Sequence, residues 1–350
     1  NVEKFKTLSD IKHIPLLKKK ELIFLQSIGP RLGGLLTKDI GELKRIFLSP
    51  GPIFDPEDRM DDYWGYTEAF YSVGFRPGDV VQVTFNYHLS PAGLMFEEPL
   101  RNLGCASIPA GPTDPGTQLD IMQKLRVSGY VGTASYLMHL AQKAEEKGIN
   151  LRKDLFQEVA FVTGERLSEK MRNQLEKKFD IILRQGYGTA GVGGIGYECF
   201  HKTGLHISNR CYVEICHPDT GIPLKDGEVG EIVVTSFNKT YPLIRLATGD
   251  LSYIDRAPCA CGRTSPRLGS IVGRVDTTAR IKGMFVYPHQ VEQVMARFED
   301  IKRWQIEVIN PGGIDEMILY VEASNFHQED ELLHLFRERI KLRPELKVLA

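Results

Sequence analysis

Between residues 80 and 183, short β-branched runs alternate with longer stretches of helical spacing. That alternation limits what the chain can fold into more than any other feature. Val80-Val-Gln-Val-Thr-Phe85, Ala106-Ser-Ile-Pro109, Gly129-Tyr-Val-Gly132, Val159-Ala-Phe-Val162 and Ile181-Ile-Leu183 read as strands. Residues 94–103, 118–126, 136–147 and 168–178 read as helices between them. Strands joined through helices run parallel, so an α/β class follows, with a mostly parallel sheet covered by helices. Upstream, residues 1–45 read as helical and charged, residues 47–54 as a strand breaking into a Pro/Gly loop, and residues 61–75 as a helix.

The texture changes twice more. From Gly204, Tyr212-Val-Glu-Ile-Cys216 and Gly230-Glu-Ile-Val-Val-Thr-Ser236 read as antiparallel strands joined by a polar turn, a small barrel-like part. Beyond Asp276 the order is strand 280–286, helix 288–298, strands 304–309 and 316–321, helix 329–341 and strand 346–349. That β-α-β-β-α-β order is ferredoxin-like. A chain of 350 residues is long for one core, and we expect a large domain at 1–275 and a small one at 276–350. The net charge of −1 gives no footprint for nucleic acid or an anionic membrane, and no apolar run reaches membrane-spanning length. Six cysteines do not make a disulfide framework, which points to a reducing cytoplasm.

The chemistry concentrates between residues 241 and 283. Tyr241-Pro-Leu-Ile-Arg-Leu-Ala-Thr-Gly-Asp250 is followed by Cys259-Ala-Cys-Gly-Arg263, Gly273-Arg-Val-Asp276 and Lys282-Gly283. A carboxylate on a Thr-Gly turn accepts hydrogen bonds from a diol, and a guanidinium binds hydroxyl or phosphate oxygens. As residues alone, Asp250 reads either as a ribose ligand or as a turn acid holding local amides. At these motifs the chain resembles the phenylacetate–CoA ligase branch of the adenylate-forming (AMP-binding) superfamily, and the resemblance runs from the Ile14-Pro-Leu-Leu-Lys entry to the small domain. It implies activation of a carboxylic acid by ATP as an acyl-adenylate, then transfer of the acyl group to CoA. It gives Asp250 and Arg274 the ribose hydroxyls, makes Asp276 the hinge of the small domain, and makes Lys282 a catalytic residue. A homodimer is usual in this branch.

Gln185-Gly-Tyr-Gly-Thr189-Ala resembles the family's Tyr-Gly-x-(Ser/Thr)-Glu segment. The resemblance places Tyr187 and Gly188 at the adenine, Thr189 at the α-phosphate, and Gly164 and Glu165 on the other side of the base. Two departures stand out. Gly191 occupies the place of a carboxylate that helps hold Mg²⁺, a hard cation needing oxygen ligands. The phosphate loop, Ser/Thr/Gly-rich with a lysine in the family, is here Phe47-Leu-Ser-Pro-Gly-Pro-Ile-Phe54, with Ser49 and Gly51 as its candidate contacts. Prolines remove the amide donors that cradle phosphate, so the loop either closes on pyrophosphate in a variant way or weakens ATP use. The family's adenylation lysine falls past Ala350.

Gly191-Val-Gly-Gly-Ile-Gly196 matches a dinucleotide-binding pattern, but no helix follows it, so a Rossmann dehydrogenase ranks low. Cys199, His206, Cys259 and Cys261 offer the donors of a structural Zn²⁺ site, and as residues alone they read equally as small buried thiols and a solvated histidine. The segment resembles one that some family members use to bind zinc. Loops after parallel strands line ligand sites, which makes His88, Ala110 and Tyr136 candidates for the acyl pocket. The leading function is an ATP-dependent acyl- or aryl-CoA ligase using ATP, Mg²⁺ and CoA. Its rivals are an adenylating enzyme with a non-CoA acceptor and a non-catalytic nucleotide or acyl-CoA binding homologue.

Overall fold

The computed structural model describes residues 6–281, 284–310, 315–324 and 326–349. Two compact units emerge. One comprises Asn1–Thr248 and Tyr253–Ser270, the other Gly249–Ser252 and Ile271–Ala350.

The first unit is built on a nine-stranded sheet. Ala106–Pro109, Val80–Val83, Gly129–Gly132, Val159–Val162 and Ile182–Thr189 lie side by side in that order, all parallel. In chain order this is 2-1-3-4-5, a doubly wound arrangement whose direction of winding reverses between Val80–Val83 and Gly129–Gly132. Beyond Ile182–Thr189 the sheet continues antiparallel through Gly193–Glu198 and Leu205–Ile207. Alternate residues of the parallel strands serve two cores. Val81, Val83 and Phe161 pack with Phe70, Phe75 and Phe96 on one face. Tyr130, Ala160 and Val162 pack with Leu119, Leu137 and Leu175 on the other. Side-chain caps start the covering helices: Asp114 takes the Thr117 amide at 2.9 Å, Thr133 the Tyr136 amide at 3.2 Å, and Ser168 the Met171 amide at 3.2 Å.

A second sheet in this unit pairs Cys211–Cys216 antiparallel with Gly230–Ser236, and Leu17 and Lys18 run parallel to Leu246 and Ala247. Arg245 organises it. Buried, with φ of 50°, it bonds Glu214 Oε2 at 3.0 Å and the carbonyls of Lys12, Ile14 and Gly221 at 3.0, 2.6 and 2.8 Å. The Ile14 entry and the Pro242–Arg245 motif, far apart in sequence, are therefore one structural feature.

Three elements of this unit differ from expectation. The expected helix over 61–75 is only Thr67–Val73, because Asp62, at φ of 48°, folds back and accepts the amides of Tyr66 and Thr67 at 3.0 and 3.2 Å. Residues 45–57 form a hairpin, Arg45–Ser49 with Ile53–Glu57, rather than a strand breaking into a loop. The strand begun at Ile182 runs on to Thr189. Among the described residues no helix is long and apolar enough to cross a membrane.

In the second unit Ala279–Ile281 and Met284–Val286 form a hairpin, and helix Pro288–Met295 follows. Arg303–Ile309, Glu316–Glu322 and Glu345–Leu349 make a three-stranded sheet in that order, with helix Glu329–Ile340 between the last two strands. Val291, Val294, Leu319, Val321, Leu332 and Phe336 form its core. The single strand expected over 280–286 is thus a hairpin, and after it the elements follow in the expected order α-β-β-α-β.

Candidate active site

A doubly wound sheet opens a crevice where its winding reverses, at the carboxyl ends of the two strands concerned. Here those ends are Thr84 and Thr133, and a hydrogen-bonded chain joins them. Thr84 Oγ1 meets Tyr130 Oη at 3.1 Å, and Tyr130 donates to the Thr133 carbonyl at 3.0 Å. Gly132 has to be glycine: a Cβ there would lie 2.1 Å from Thr84 Oγ1 and 2.2 Å from Tyr130 Oη.

Several expected site residues converge beside this chain. Gly164, at φ of 85°, turns within 3.5 Å of the Phe85 ring (measured from an added Cβ). Glu165 accepts the Ser135 amide at 2.6 Å and its hydroxyl at 2.8 Å, tying the segment after Val159–Val162 to the start of helix Ala134–Glu146. Tyr136 donates to the Thr113 carbonyl at 2.8 Å and accepts from Gln118 Nε2 at 3.0 Å, and burial raises its pKa. Gln118, fully buried, also holds the Gly111 carbonyl at 2.8 Å, next to Ala110, whose carbonyl takes the Thr113 hydroxyl. His88 stands apart. It is exposed, and its amide donates to Asn86 Oδ1 at 2.8 Å. Gln118 escaped notice because a glutamine within an amphipathic helix reads as surface.

Tyr187, Gly188 and Thr189 end the strand Ile182–Thr189, half-buried, with a bulge between Tyr187 and Gly188. The glycine-rich run after them opens the strand Gly193–Glu198 and not a helix, so the dinucleotide reading fails on structure as well as pattern. Its glycines admit close neighbours. A Cβ on Gly188 would lie 2.2 Å from Tyr66 Oη, and one on Gly193 2.2 Å from the Trp64 carbonyl.

The Ser49 hydroxyl is buried and donates to the Ile53 carbonyl at 3.3 Å. The hairpin turn Pro50-Gly51-Pro52 carries a single amide, that of Gly51, at φ of 131°. Amide cradling of phosphate is therefore reduced to one donor in this turn. Glu198, the acid closest to Gly191 in sequence, is fully engaged. Arg172 grips it with Nη1 at 2.9 Å and Nη2 at 2.7 Å, and Gln185 donates its amide and side chain at 2.9 Å each. It is a structural anchor, with no lone pair left for a cation.

In the second unit Asp250 pairs across an antiparallel ladder with Arg274. Arg274 Nη1 donates to Asp250 Oδ1 at 3.0 Å, while its Nε and Nη2 reach the two oxygens of Asp276 at 3.0 and 3.2 Å. Gly249, at φ of 82°, lets the guanidinium pass close by. The result is a fixed fork between two carboxylates, with Asp276 in the single 3-10 turn Val275–Thr277. Lys282 lies outside the described residues.

Cys199, His206, Cys259 and Cys261 come together, their ligand atoms all within 4.8 Å of one another. Zinc–sulfur bonds of about 2.3 Å place tetrahedral corners about 3.8 Å apart. Cys199 and Cys259 sulfurs are 3.7 Å apart, and Cys261 Sγ lies 3.3 Å from His206 Nε2. Ser265 Oγ sits 3.2 Å from His206 Nδ1 and can orient the ring. Burial opposes ionisation of Cys259, but hydrogen bonds from the Cys261 amide and from the Cys261, Thr203 and His206 side chains pull its thiol down to about 5. The donor set and spacing fit a tetrahedral Zn²⁺. The other three cysteines, Cys105, Cys211 and Cys216, are buried free thiols.

Relatives of the chain carry related names. The family model of the AMP-binding enzyme C-terminal domain matches residues 283–349. A phenylacetate–coenzyme A ligase of Thermus thermophilus is 31% identical, the match covering 96% of this chain and 80% of the relative. One from Escherichia coli is 27% identical over the same shares. Among solved structures, an open conformation of 2-hydroxyisobutyryl-CoA ligase in complex with 2-HIB-AMP and CoA superposes with a TM-score of 0.87 at 23% identity, covering 100% of this chain and 81% of that one. ATP-bound MatB from Rhodopseudomonas palustris gives 0.64 at 16% identity, covering 89% and 65%. The structural likenesses establish the adenylate-forming ligase fold, and the first sequence match spans nearly the whole chain: it belongs to the phenylacetate–CoA ligase family.

Proposed function

We propose that the protein is an ATP-dependent acyl- or aryl-CoA ligase that forms an acyl-adenylate and passes the acyl group to CoA. The observation that carries the reading is the Asp250–Arg274–Asp276 fork, its first carboxylate on the strand Leu246–Ser252, in a chain that matches a CoA ligase along 96% of its length. A carboxylate held this way accepts from the ribose hydroxyls. Tyr187 offers a ring for the base, and the Thr189 hydroxyl an oxygen contact at the α-phosphate. The acid's carboxylate attacks the α-phosphorus and pyrophosphate leaves; the CoA thiol then attacks the acyl carbonyl and AMP leaves. No covalent bond to the protein is needed, so the residues contribute positioning and charge stabilisation. Mg²⁺ on the phosphates would neutralise the departing pyrophosphate. Asp276 keeps the pivot role in this reading, and the protein is taken to act as a cytoplasmic homodimer.

A binding-only homologue is the second reading, favoured by the Pro50–Pro52 turn with its one amide. Pyrophosphate release separates the two. With ATP, Mg²⁺ and a panel of acids beginning with phenylacetate, acid-dependent release that turns over when CoA is added is the expected result. ATP binding without release for any acid would leave the second reading standing.

The cysteine–histidine cluster is read as a structural zinc site. Purified protein is expected to carry about one zinc per chain by plasma mass spectrometry, and Cys259→Ser to lose most of it. A metal-free protein of unchanged melting temperature would end that reading.

A further inference from the structure

Asp55 is a buried acid that nothing so far explains. It lies on Ile53–Glu57 opposite Phe47, only 1% exposed, and among the described residues neither of its oxygens takes a hydrogen bond. Its acidic neighbours are all neutralised. Glu57 meets Arg45 at 3.0 Å and Lys44 at 3.4 Å, and Asp58 meets Lys38 at 2.8 Å. Burial pushes Asp55 up to about 6, against the weaker pull of Ser49 and Lys19. Carboxylates are left in such places when a proton or a cation completes them.

The carboxylate points at the turn that follows Thr189. A Cβ on Gly191 would lie 3.4 Å from Asp55 Oδ1 and 3.0 Å from Leu243 Cδ1. Gly191 is not in the left-handed region, so its backbone does not demand glycine. A side chain at 191 would abut the Asp55 carboxylate in ordinary van der Waals contact and press on Leu243. Glu198, the other acid nearby in sequence, is closed off by Arg172. Ser49 adds a neutral oxygen on the paired strand of the same hairpin. Carboxylate and hydroxyl oxygens are what a hard divalent cation takes.

We propose that Asp55 supplies the carboxylate for the divalent cation that accompanies ATP, entering from the Ile53–Glu57 strand to the side of Gly191. The inference rests on the ligase reading above. It makes the proline-rich hairpin a metal-holding element in place of an amide cradle, and it explains why residue 191 needs no acid.

The test uses Mn²⁺ as the probe. Calorimetry gives ATP affinity with Mn²⁺ and in EDTA, and electron paramagnetic resonance follows the protein-bound ion. Asp55→Asn keeps the shape and removes a buried charge. It is expected to weaken Mn²⁺·ATP binding at least tenfold while ATP affinity in EDTA stays within twofold. Adding Gly191→Asp to that variant is expected to restore much of the loss, because it returns a carboxylate next to the one removed. Asp55→Ser serves if the asparagine variant fails to fold. Mn²⁺·ATP affinity within twofold of wild type in the Asp55 variants would overturn the proposal and leave pyrophosphate release by the wild type untouched. A wild type that binds ATP in neither condition would sink this proposal and the ligase reading together.

Discussion

Truncating Glu198 to alanine will destabilise the first unit by about 3–5 kcal/mol, the cost of leaving one member of a buried ion pair without its partner. Arg172 and Glu198 side chains are only 1% and 3% exposed. The deletion strands a guanidinium in the interior, and it also strands the Gln185 amide and side chain, which both donate to the same carboxylate. The Glu169 contact at 3.1 Å and the Leu183 carbonyl at 3.1 Å remain to Arg172 but cannot neutralise it at depth. Removing both charges together, as Arg172→Met with Glu198→Leu, should recover most of the loss, since well-packed apolar pairs often match a buried salt bridge. Urea unfolding followed by the fluorescence of buried Trp64, in a background where Trp304 is phenylalanine, reads this unit alone. A loss under 1 kcal/mol for Glu198→Ala would show that water reaches the pair. The outcome bears on function because Gln185 begins the stretch that ends in Tyr187 and Thr189. If Glu198 were a cation ligand, its loss would instead leave stability nearly intact and weaken metal binding.

What could be read from the sequence follows from which signals are local. The parallel strands were legible because Val80–Val83, Gly129–Gly132 and Val159–Val162 are short, mostly apolar runs set between helices, and buried parallel strands look like that. The course of the chain through Gln185-Gly-Tyr-Gly-Thr189 was not. Its glycines carry no alternation, and the strand is held by pairing with Gly193–Glu198 and by aromatic rings packed where side chains are missing. The helix expected over 61–75 failed for a related reason: Asp62 spends its carboxylate on two amides, a local contact that spacing does not display. Arg274 and Asp276 are near in sequence, and the structure pairs them. The role of Glu198 was invisible because Arg172 stands 26 residues away on a helix. Asp55 had one overlooked signal. In Ile53-Phe-Asp-Pro-Glu57 it shares the inward face with Ile53, and an acid at an inward position of a strand needs an explanation.

Replacing Asp250 with alanine is expected to lower kcat/KM for ATP on the order of 10²-fold, with little change in stability. Hydrogen bonds to a charged acceptor contribute about 1.5–3 kcal/mol each when the alternative is an unpaired group, so the loss of one or two contacts to a ribose reaches that size. The pair with Arg274 contributes far less to folding. The guanidinium is 45% exposed and keeps both bonds to Asp276 when Asp250 is gone, so less than about 1 kcal/mol is at stake. That separation gives the test its force. Wild type and Asp250→Ala are compared in acid-dependent pyrophosphate release with ATP and with 2′-deoxy- and 3′-deoxy-ATP. If the carboxylate holds the diol, the wild type discriminates against at least one deoxy analogue by tenfold or more, and the variant treats all three nucleotides nearly alike. Discrimination that survives unchanged in the variant would move the ribose contact to another residue and reduce Asp250 to an anchor for Arg274. Asp250→Asn adds a third point. The amide keeps one acceptor but loses the charge, so its rate should fall between the two, closer to alanine, because the charge sets the strength of the bond.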